Sequence, residues 1–334
     1  MKSETNRKTV KSSLPILLTV AIVMMIMIMA AFLVCRHMMK AENHARYVGM
    51  VNYASEKIAK TVRGMEMSAM NEFDEVEKHL DTPESVIAAL KSKTSLNPEV
   101  RGYFAAFEPH YFEEKGQWFE PYVHHVDSSE FEVRQVGSAH HNYHRSGWYI
   151  RAKKSNDSFW SDPYYYYDGT NISGHYTTFV KPVYDAEGRL ACVCGADMTF
   201  EWLSKEMQQI DASIRQNSLL NKFRQHFSDL DFYTVVINKD GSCIAYPKGK
   251  SVSMKDEAVL RDLSEEQSGI TELTVNGVPS TIYYCPIPRV DWSVAVVVPQ
   301  ETTLTTIYLV GLLLLTITLL GIIFVWIALR PVRA

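Results

Sequence analysis

Between Tyr143 and Tyr184 the chain places eight of its 18 tyrosines, together with Trp148, Trp160 and several carboxylates. Rings with polar tips suit the recognition of a small polar molecule. Their faces exclude water, their hydroxyls orient the guest, and a nearby carboxylate or arginine matches its charge. An aromatic wall also attracts an ammonium group. Trp148 and Tyr149 are the first candidates for such a wall, with packing against a sheet as the alternative. In the run Tyr164-Tyr165-Tyr166-Tyr167, extended chain puts Tyr164 and Tyr166 on one side and the other two opposite. Asp197 closes a hydrophobic strand ahead of a helix, where it would meet a ligand amine or cap the helix near Thr199. Asp168, beside Gly169, is a second candidate carboxylate or a plain turn residue. Tyr143 and Arg145 complete the candidate ligand-binding set.

Other chemistries find less support. His140, His141 and His144, with His124 and His125 nearby, would need helical spacing and a further ligand to hold zinc, and they read as solvated loop residues. No glycine-rich phosphate loop and no nucleophile–base motif is visible, so no metal, no cofactor and no enzymatic activity is expected. Cys192 and Cys194 fall on one face of a strand and should not pair with each other. A net charge of −4 argues against nucleic acid as a partner.

The elements that must position these residues begin with two apolar blocks. Residues 13–35 and 304–329 carry no charged side chain, and each is long enough to cross a hydrocarbon core of about 30 Å. The first exceeds the apolar run of a cleaved signal peptide. Lys2, Arg7, Lys8 and Lys11 precede it, and Arg330 and Arg333 follow the second block; Arg36, His37 and Lys40 oppose the resulting orientation. Both ends are therefore assigned to the cytoplasm, with residues 36–303 outside the bacterial inner membrane.

Beyond the first block, apolar residues at Val48, Val51, Ala54, Ile58, Val62, Met65, Ala69 and Phe73 mark one amphipathic stalk helix over about 38–80. Its stripe needs cover, from the adjoining domain and from a second subunit. Thr82-Pro83-Glu84 starts a short helix. Strands follow at 102–107, 131–136, 175–183 and 190–196, with a turn at Asp185-Ala186-Glu187-Gly188. A helix over about 200–223 separates them from strands at 233–237, 243–246, 270–275, 280–286 and 292–298. Asn276-Gly277 supplies a hairpin turn in this second group.

In this order and spacing the chain resembles bacterial transmembrane sensors with a double Cache, or tandem PAS-like, extracytoplasmic domain. The resemblance is carried by Trp148-Tyr149, Phe159-Trp160-Ser161-Asp162-Pro163-Tyr164, Lys181-Pro182-Val183-Tyr184-Asp185-Ala186-Glu187-Gly188 and Cys194-Gly195-Ala196-Asp197-Met198-Thr199. Val236-Ile237-Asn238-Lys239-Asp240-Gly241 and the strand from Trp292 to Val298 resemble the membrane-proximal repeat, and Arg330-Pro331-Val332 the start of a HAMP relay module.

The fold so implied is an α+β membrane protein: two transmembrane helices flanking a long stalk helix and two PAS-like antiparallel-sheet subdomains. The divisions are a cytoplasmic tail (1–12), a first span (13–35), a sensor domain (36–303), a second span (304–329) and a HAMP-like start (330–334). Within the sensor domain the distal subdomain covers about 81–199, the connecting helix 200–223 and the proximal subdomain 224–303.

The implied function is the input region of a receptor, acting as a homodimer. It would bind a small ligand in the distal subdomain and pass a movement through the second span to a cytoplasmic output module beyond it. An anchored binding or adaptor protein, or an anchored enzyme, is the alternative. Amino-acid-binding members carry an arginine two positions before the tryptophan and an aspartate two after the later pocket tyrosine. Here those positions hold Ser146 and Tyr166, with Arg145 one residue too early and Asp168 two too late. The ligand class thus stays open among amines, amino acids, carboxylates and other small metabolites.

Overall fold

The computed structural model describes residues 2–92, 99–126, 131–167, 173–216, 232–246 and 252–328. Six helices and twelve strands are present among them. The first apolar block and the stalk form one helix, α1 (Lys2–Lys78), 77 residues long. At 1.5 Å per residue that is about 115 Å. Its outer part buries Tyr47, Val51, Ala54, Ile58, Val62, Met65, Ala69, Phe73 and Val76 in steps of three and four. This is the stripe expected from the sequence, with Tyr47 fully covered in place of Val48.

After α2 (Pro83–Ser92), where the Thr82 hydroxyl accepts the Ser85 amide at 3.2 Å, the chain builds a seven-stranded antiparallel sheet. Its strands are β1 (Val100–Phe107), β2 (Pro121–His125), β3 (Phe131–Gln135), β4 (Phe159–Trp160), β5 (Tyr164–Tyr167), β6 (Ser173–Tyr184) and β7 (Leu190–Thr199). They lie in the order β3-β2-β1-β7-β6-β4, with β5 also pairing with β6. A helix, α3 (Gly147–Ser155), covers one face, and α1 with α2 covers the other.

Strand alternation divides the sheet cleanly. Tyr103, Ala105 and Phe107 of β1, Val123 of β2, Phe179 of β6, and Cys192, Cys194, Ala196 and Met198 of β7 join the core under α1. Phe104, Ala106, Tyr122, Val180 and Val193 point the other way, into a core shared with Tyr143, Tyr149 and Ala152. The Cys192 and Cys194 sulfurs share a face as expected, 3.8 Å apart in a thiol–thiol hydrogen bond and without a disulfide.

β7 runs without a loop into α4 (Phe200–Gln216), and a second, five-stranded sheet follows. Its order is β10-β11-β12-β8-β9, from β8 (Tyr233–Asn238), β9 (Cys243–Ala245), β10 (Gly269–Val275), β11 (Val278–Pro286) and β12 (Trp292–Pro299). Helix α5 (Glu257–Ser264) is capped by the Asp256 carboxylate, which accepts the Ala258 and Val259 amides. β12 in turn continues directly into α6 (Gln300–Ala328).

Both α1 and α6 contain stretches apolar and long enough to cross a membrane. Gly321 of α6 faces Met24 of α1, and Gly311 faces Phe32, so the two helices pack antiparallel with small residues against large. The α1 end at Tyr47 meets Tyr283 of β11 at 5.4 Å, while Phe73, seven turns further along, stacks on Phe179 of β6 at 6.3 Å. One helix therefore braces both sheets.

Where the sheets meet, Glu66 of α1 is 5% exposed. Its Oε1 accepts the Trp160 indole N–H of β4 at 2.9 Å, and its Oε2 pairs with Arg289 in the β11–β12 turn. The Trp160 ring also lies 6.4 Å from Trp292 at the head of β12, which packs edge-on to Phe200 at 6.0 Å.

The strand and helix pattern agrees with the expected class. The sequence reading omitted β2, β4, β5, α3 and α5, and ended β7 at Ala196 rather than Thr199. The connecting helix is described to Gln216; the last part expected for it, like the HAMP-like start at 330–334, lies outside the described residues.

Because α1 is a brace, its two faces should differ in energetic weight. Phe73→Ala removes a fully buried ring and is expected to cost about 3–5 kcal/mol. Glu56→Ala, on the exposed face, should stay within about 0.5 kcal/mol of the parent. Denaturant midpoints of the two variants check this.

Candidate ligand-sensing cavity

The face of the distal sheet turned away from α1 carries a cavity of about 40 Å³. It is lined by Phe104, Glu120, Tyr122, Val136, His141, Trp148, Tyr164, Tyr166 and Asp197. Local chain features build it. Gly195 of β7 leaves room for the Phe104 ring: a Cβ there would lie 2.1 Å from Phe104 Cζ. Gly102 of β1 does the same for Tyr122, at 2.7 Å. The rings can thus lie flat on the sheet as a floor. Trp148, on the first turn of α3, closes over Phe104 with centroids 5.2 Å apart. His141 meets the Tyr166 ring edge-on at 5.3 Å.

Asp197 is the polar centre. Its Oδ1 accepts the Thr178 hydroxyl at 2.6 Å and the Tyr164 hydroxyl at 3.3 Å. The Tyr122 hydroxyl acts on the same carboxyl from across the cavity without a hydrogen bond of proper geometry. Burial pushes the Asp197 carboxyl up to about 6, against the pull of these hydroxyls. Burial, and next Asp197 itself, raise the Tyr122 and Tyr164 phenols, so both stay neutral donors. Burial and then Asp197 also push the Glu120 carboxyl well above the usual range, and burial lowers the His141 imidazole.

Of the eight residues singled out in the sequence, four come together here: Trp148, Tyr164, Tyr166 and Asp197. Tyr165 points to solvent, as alternation requires. Asp197 lies within β7 rather than at its end, and the Thr199 hydroxyl instead accepts an amide of the first turn of α4, from Trp202 at 3.4 Å.

Three of the expected residues do not line the cavity. Tyr143 is fully buried, its hydroxyl donating to the Phe107 carbonyl at 2.7 Å and accepting the Phe119 amide at 3.2 Å. Tyr149 faces away from the cavity in α3 and donates to Glu108 at 2.8 Å, anchoring that helix with help from Lys153. Arg145 ends a short 3-10 turn on the exposed surface, because Tyr143 takes the inward position of that turn. Asp168 lies outside the described residues.

Sequence reasoning missed Phe104, Glu120, Tyr122 and Val136, and placed His141 in a solvated loop. The run Phe119-Glu120-Pro121-Tyr122, an acid between aromatic residues at the head of a strand, was the available signal. A larger cleft, about 540 Å³, lies between the two sheets and is lined in part by Arg101, His175, Glu201 and Tyr246. His175, Glu201 and Tyr246 are exposed, so they present no dry polar group to a guest.

The raised Asp197 carboxyl carries a stability cost whose sign follows from linkage. The native state holds this proton more tightly than the unfolded chain. The contribution of Asp197 is therefore full below about pH 3.8 and is lost as pH rises through about 6. A shift of about two units corresponds to roughly 3 kcal/mol at neutral pH. Asp197→Asn should therefore match or exceed the parent in denaturant midpoint at pH 7.5, with the advantage shrinking towards pH 4. Parallel curves for the two proteins would contradict this.

Comparison with known proteins bears on the same region. Residues 86–205 match the family model described as "Methyl-accepting chemotaxis protein-like, first PDC sensor domain". A search of curated proteins found no significant match. Among solved structures, the chain resembles the periplasmic sensory domain of the Campylobacter jejuni chemoreceptor Tlp1, at TM-score 0.63 and 11% identity, covering 80% of this chain and 98% of that one. It also resembles the ligand-binding domain of the Pseudomonas fluorescens chemoreceptor CtaA in complex with L-isoleucine, at TM-score 0.54 and 17% identity, covering 81% and 98%. The ligand-binding domain of Mlp24 with asparagine matches at TM-score 0.56 and 14% identity, covering 81% and 98%. These likenesses lie in the fold, with the PDC match placed on the sheet that carries the cavity. Residues 86–205 thus match a PDC sensor domain, within a PAS-like fold set between two helices long and apolar enough to cross a membrane.

Proposed function

We propose that this chain is the non-catalytic input region of a bacterial signal-transduction receptor, and that a small extracytoplasmic molecule binds in the distal cavity. The observation that carries the reading is the Asp197 carboxyl, buried inside an aromatic wall with three hydroxyls turned towards it. A buried acid so arranged favours a guest with an amine. The CtaA and Mlp24 domains, crystallised with isoleucine and asparagine, support small-molecule binding in this fold. The basic residues Lys2, Arg7, Lys8 and Lys11 orient both ends to the cytoplasm, with the sensor domain outside the inner membrane. The exposed stripe of α1 is the natural face for a homodimer, and Arg330-Pro331-Val332 for the start of a HAMP module.

Relay follows the covalent path. β7, which holds Asp197, becomes α4, whose first residue Phe200 packs on Trp292; β12, which starts at Trp292, becomes α6. A hydrogen-bonded branch runs beside it. Thr178, bonded to Asp197, exchanges bonds with Ser161, at 3.0 Å to its hydroxyl and 2.8 Å from its amide. Ser161 follows Trp160, which Glu66 holds. A ligand biases the spans only if it binds one arrangement of this junction better than the other.

The full chain in nanodiscs, screened by thermal shift and calorimetry against amines, amino acids and carboxylates, should bind one class saturably. Asp197→Ala and Trp148→Ala should each weaken that binding at least tenfold. Binding indifferent to both variants, or turnover of the compound, would sink the reading. Glu66→Gln keeps an acceptor for Trp160 but loses the Arg289 ion pair. It should leave ligand affinity within about threefold while abolishing the ligand-dependent change in spacing between spin labels on α1 and α6.

A further inference from the structure

Asp197 shares the cavity with a second acid. Glu120, the residue before β2, is 3% exposed, and its Oε2 has no hydrogen-bond partner. Its main chain is pinned on both sides: the amide donates to Gln135 Oε1 at 3.2 Å, and the carbonyl accepts the Val136 amide at 3.0 Å. The side chain is thus held at the cavity by its backbone, with the His141 ring in ion-pair reach but no hydrogen bond to Oε2. A buried polar atom without a partner costs about 1–3 kcal/mol. Such a group is where an absent partner is to be sought.

The charges around Glu120 narrow what that partner is. Asp197 faces it from β7, the Tyr122 and Tyr164 hydroxyls from β2 and β5, and the Tyr143 hydroxyl from the 3-10 turn. His141 Nε2 stands 3.6 Å from Oε2. Among the described residues no lysine or arginine lines the cavity. Arg101 belongs to the cleft between the sheets, and Arg145 is on the surface. Arg101 still acts on the Tyr122 phenol from that cleft, but among the described lining residues a ligand carboxylate would meet two acids and no lysine or arginine. A primary ammonium, with three N–H donors and a positive charge, would meet two carboxyl oxygens and the faces of Phe104, Trp148 and Tyr166.

We infer that Glu120 is a second ligand-contacting carboxyl, and that Glu120 and Asp197 together clamp the primary ammonium of an aliphatic amine that carries no carboxylate. The inference rests on the reading of this cavity as the sensory site, and it names the ligand class there. Binding then moves a proton. Burial and the neighbouring Asp197 hold the Glu120 carboxyl well above the usual range, and burial lowers the His141 imidazole. An ammonium placed against Glu120 favours its ionised form, so the cation enters as a proton leaves for solvent. The charge of the site is conserved in that exchange.

The test is calorimetry of the full chain in nanodiscs with n-butylamine, L-alanine and acetate, in two buffers of different ionisation heat. The expected result is that n-butylamine binds, releases a measurable fraction of a proton at pH 7, and tightens as pH rises there. Glu120→Gln should weaken n-butylamine at least tenfold and abolish the proton release at pH 7 to 8, where Asp197 is already ionised. The proton count of the parent tests the same point if that variant does not fold. Binding of alanine or acetate but not n-butylamine, still dependent on Asp197 and Trp148, would overturn the amine class and leave the sensor reading standing. n-Butylamine binding without proton release, or unaffected by Glu120→Gln, would overturn the role of Glu120. No binding by any of the three overturns the amine inference; failure of the wider screen under Proposed function is what overturns the sensor reading.

Discussion

The architecture depends on one buried carboxylate. Glu66 sits two-thirds of the way along the outer part of a helix that touches both sheets, at the level where the sheets meet. Its two oxygens are taken by groups from different sheets, the Trp160 indole from the distal one and Arg289 from the proximal one. An acid at 5% exposure is stable there only while both partners are present, because a buried charge stripped of its pair is strongly destabilising. The angle between the subdomains is therefore tied to the rotation and height of α1. Apolar contacts alone, such as Trp160 with Trp292, are less directional and would tolerate sliding.

Around that tie, the period-two alternation of β7 lets one strand serve two purposes. Cys192, Cys194, Ala196 and Met198 are small or flexible enough to pack under α1. Val193, Gly195 and Asp197 face the opposite way, where the glycine admits the Phe104 ring and the acid meets the cavity. A one-residue slip would put the acid into the apolar core and Ala196 or Met198 in its place at the cavity, so register and site are specified together. Because β7 continues into α4 and β12 into α6 without loops, a shift at either strand reaches a helix with no flexible segment in between.

The sequence made the long-period features plain. Steps of three and four from Val51 to Phe73, two charge-free blocks and hairpin turns at Gly188 and Asn276-Gly277 are local signals, and each corresponds to an observed element. The omitted elements lack such signals. β2 reads Pro-Tyr-Val-His-His, and α3 opens on a glycine and spans nine residues, too short for periodicity to decide. The site divides in the same way. Tyr164, Tyr166 and Asp197 could be placed by alternation, and Trp148 by its aromatic company. Glu120, Tyr122 and Phe104 reach the cavity only through the pairing of β1 with β2 and β7, which links residues some 20 to 90 positions apart. Tyr143, Tyr149 and Arg145 were chosen by type and proximity. Hydroxyls that bind Phe107 and Glu108 instead show that a tyrosine next to a site often holds its frame.

That frame explains why the cavity can hold two acids. The Tyr143 hydroxyl joins the carbonyl of Phe107 to the amide of Phe119, and the Tyr149 hydroxyl joins α3 to Glu108, so the walls are fixed by bonds outside the cavity. Asp197 is then held by Thr178 and Tyr164, and Glu120 Oε2 can stay without a hydrogen bond without loosening the fold. Burial raises both carboxyls, Asp197 raises Glu120 further, and on the proposed reading a bound cation would relieve that strain. Removing the acids is expected to make the domain more stable. On the proposed reading, the stability held back in this pair is what a ligand would restore, and restoring it on only one side of the Glu66 junction would favour one arrangement of the helices over another.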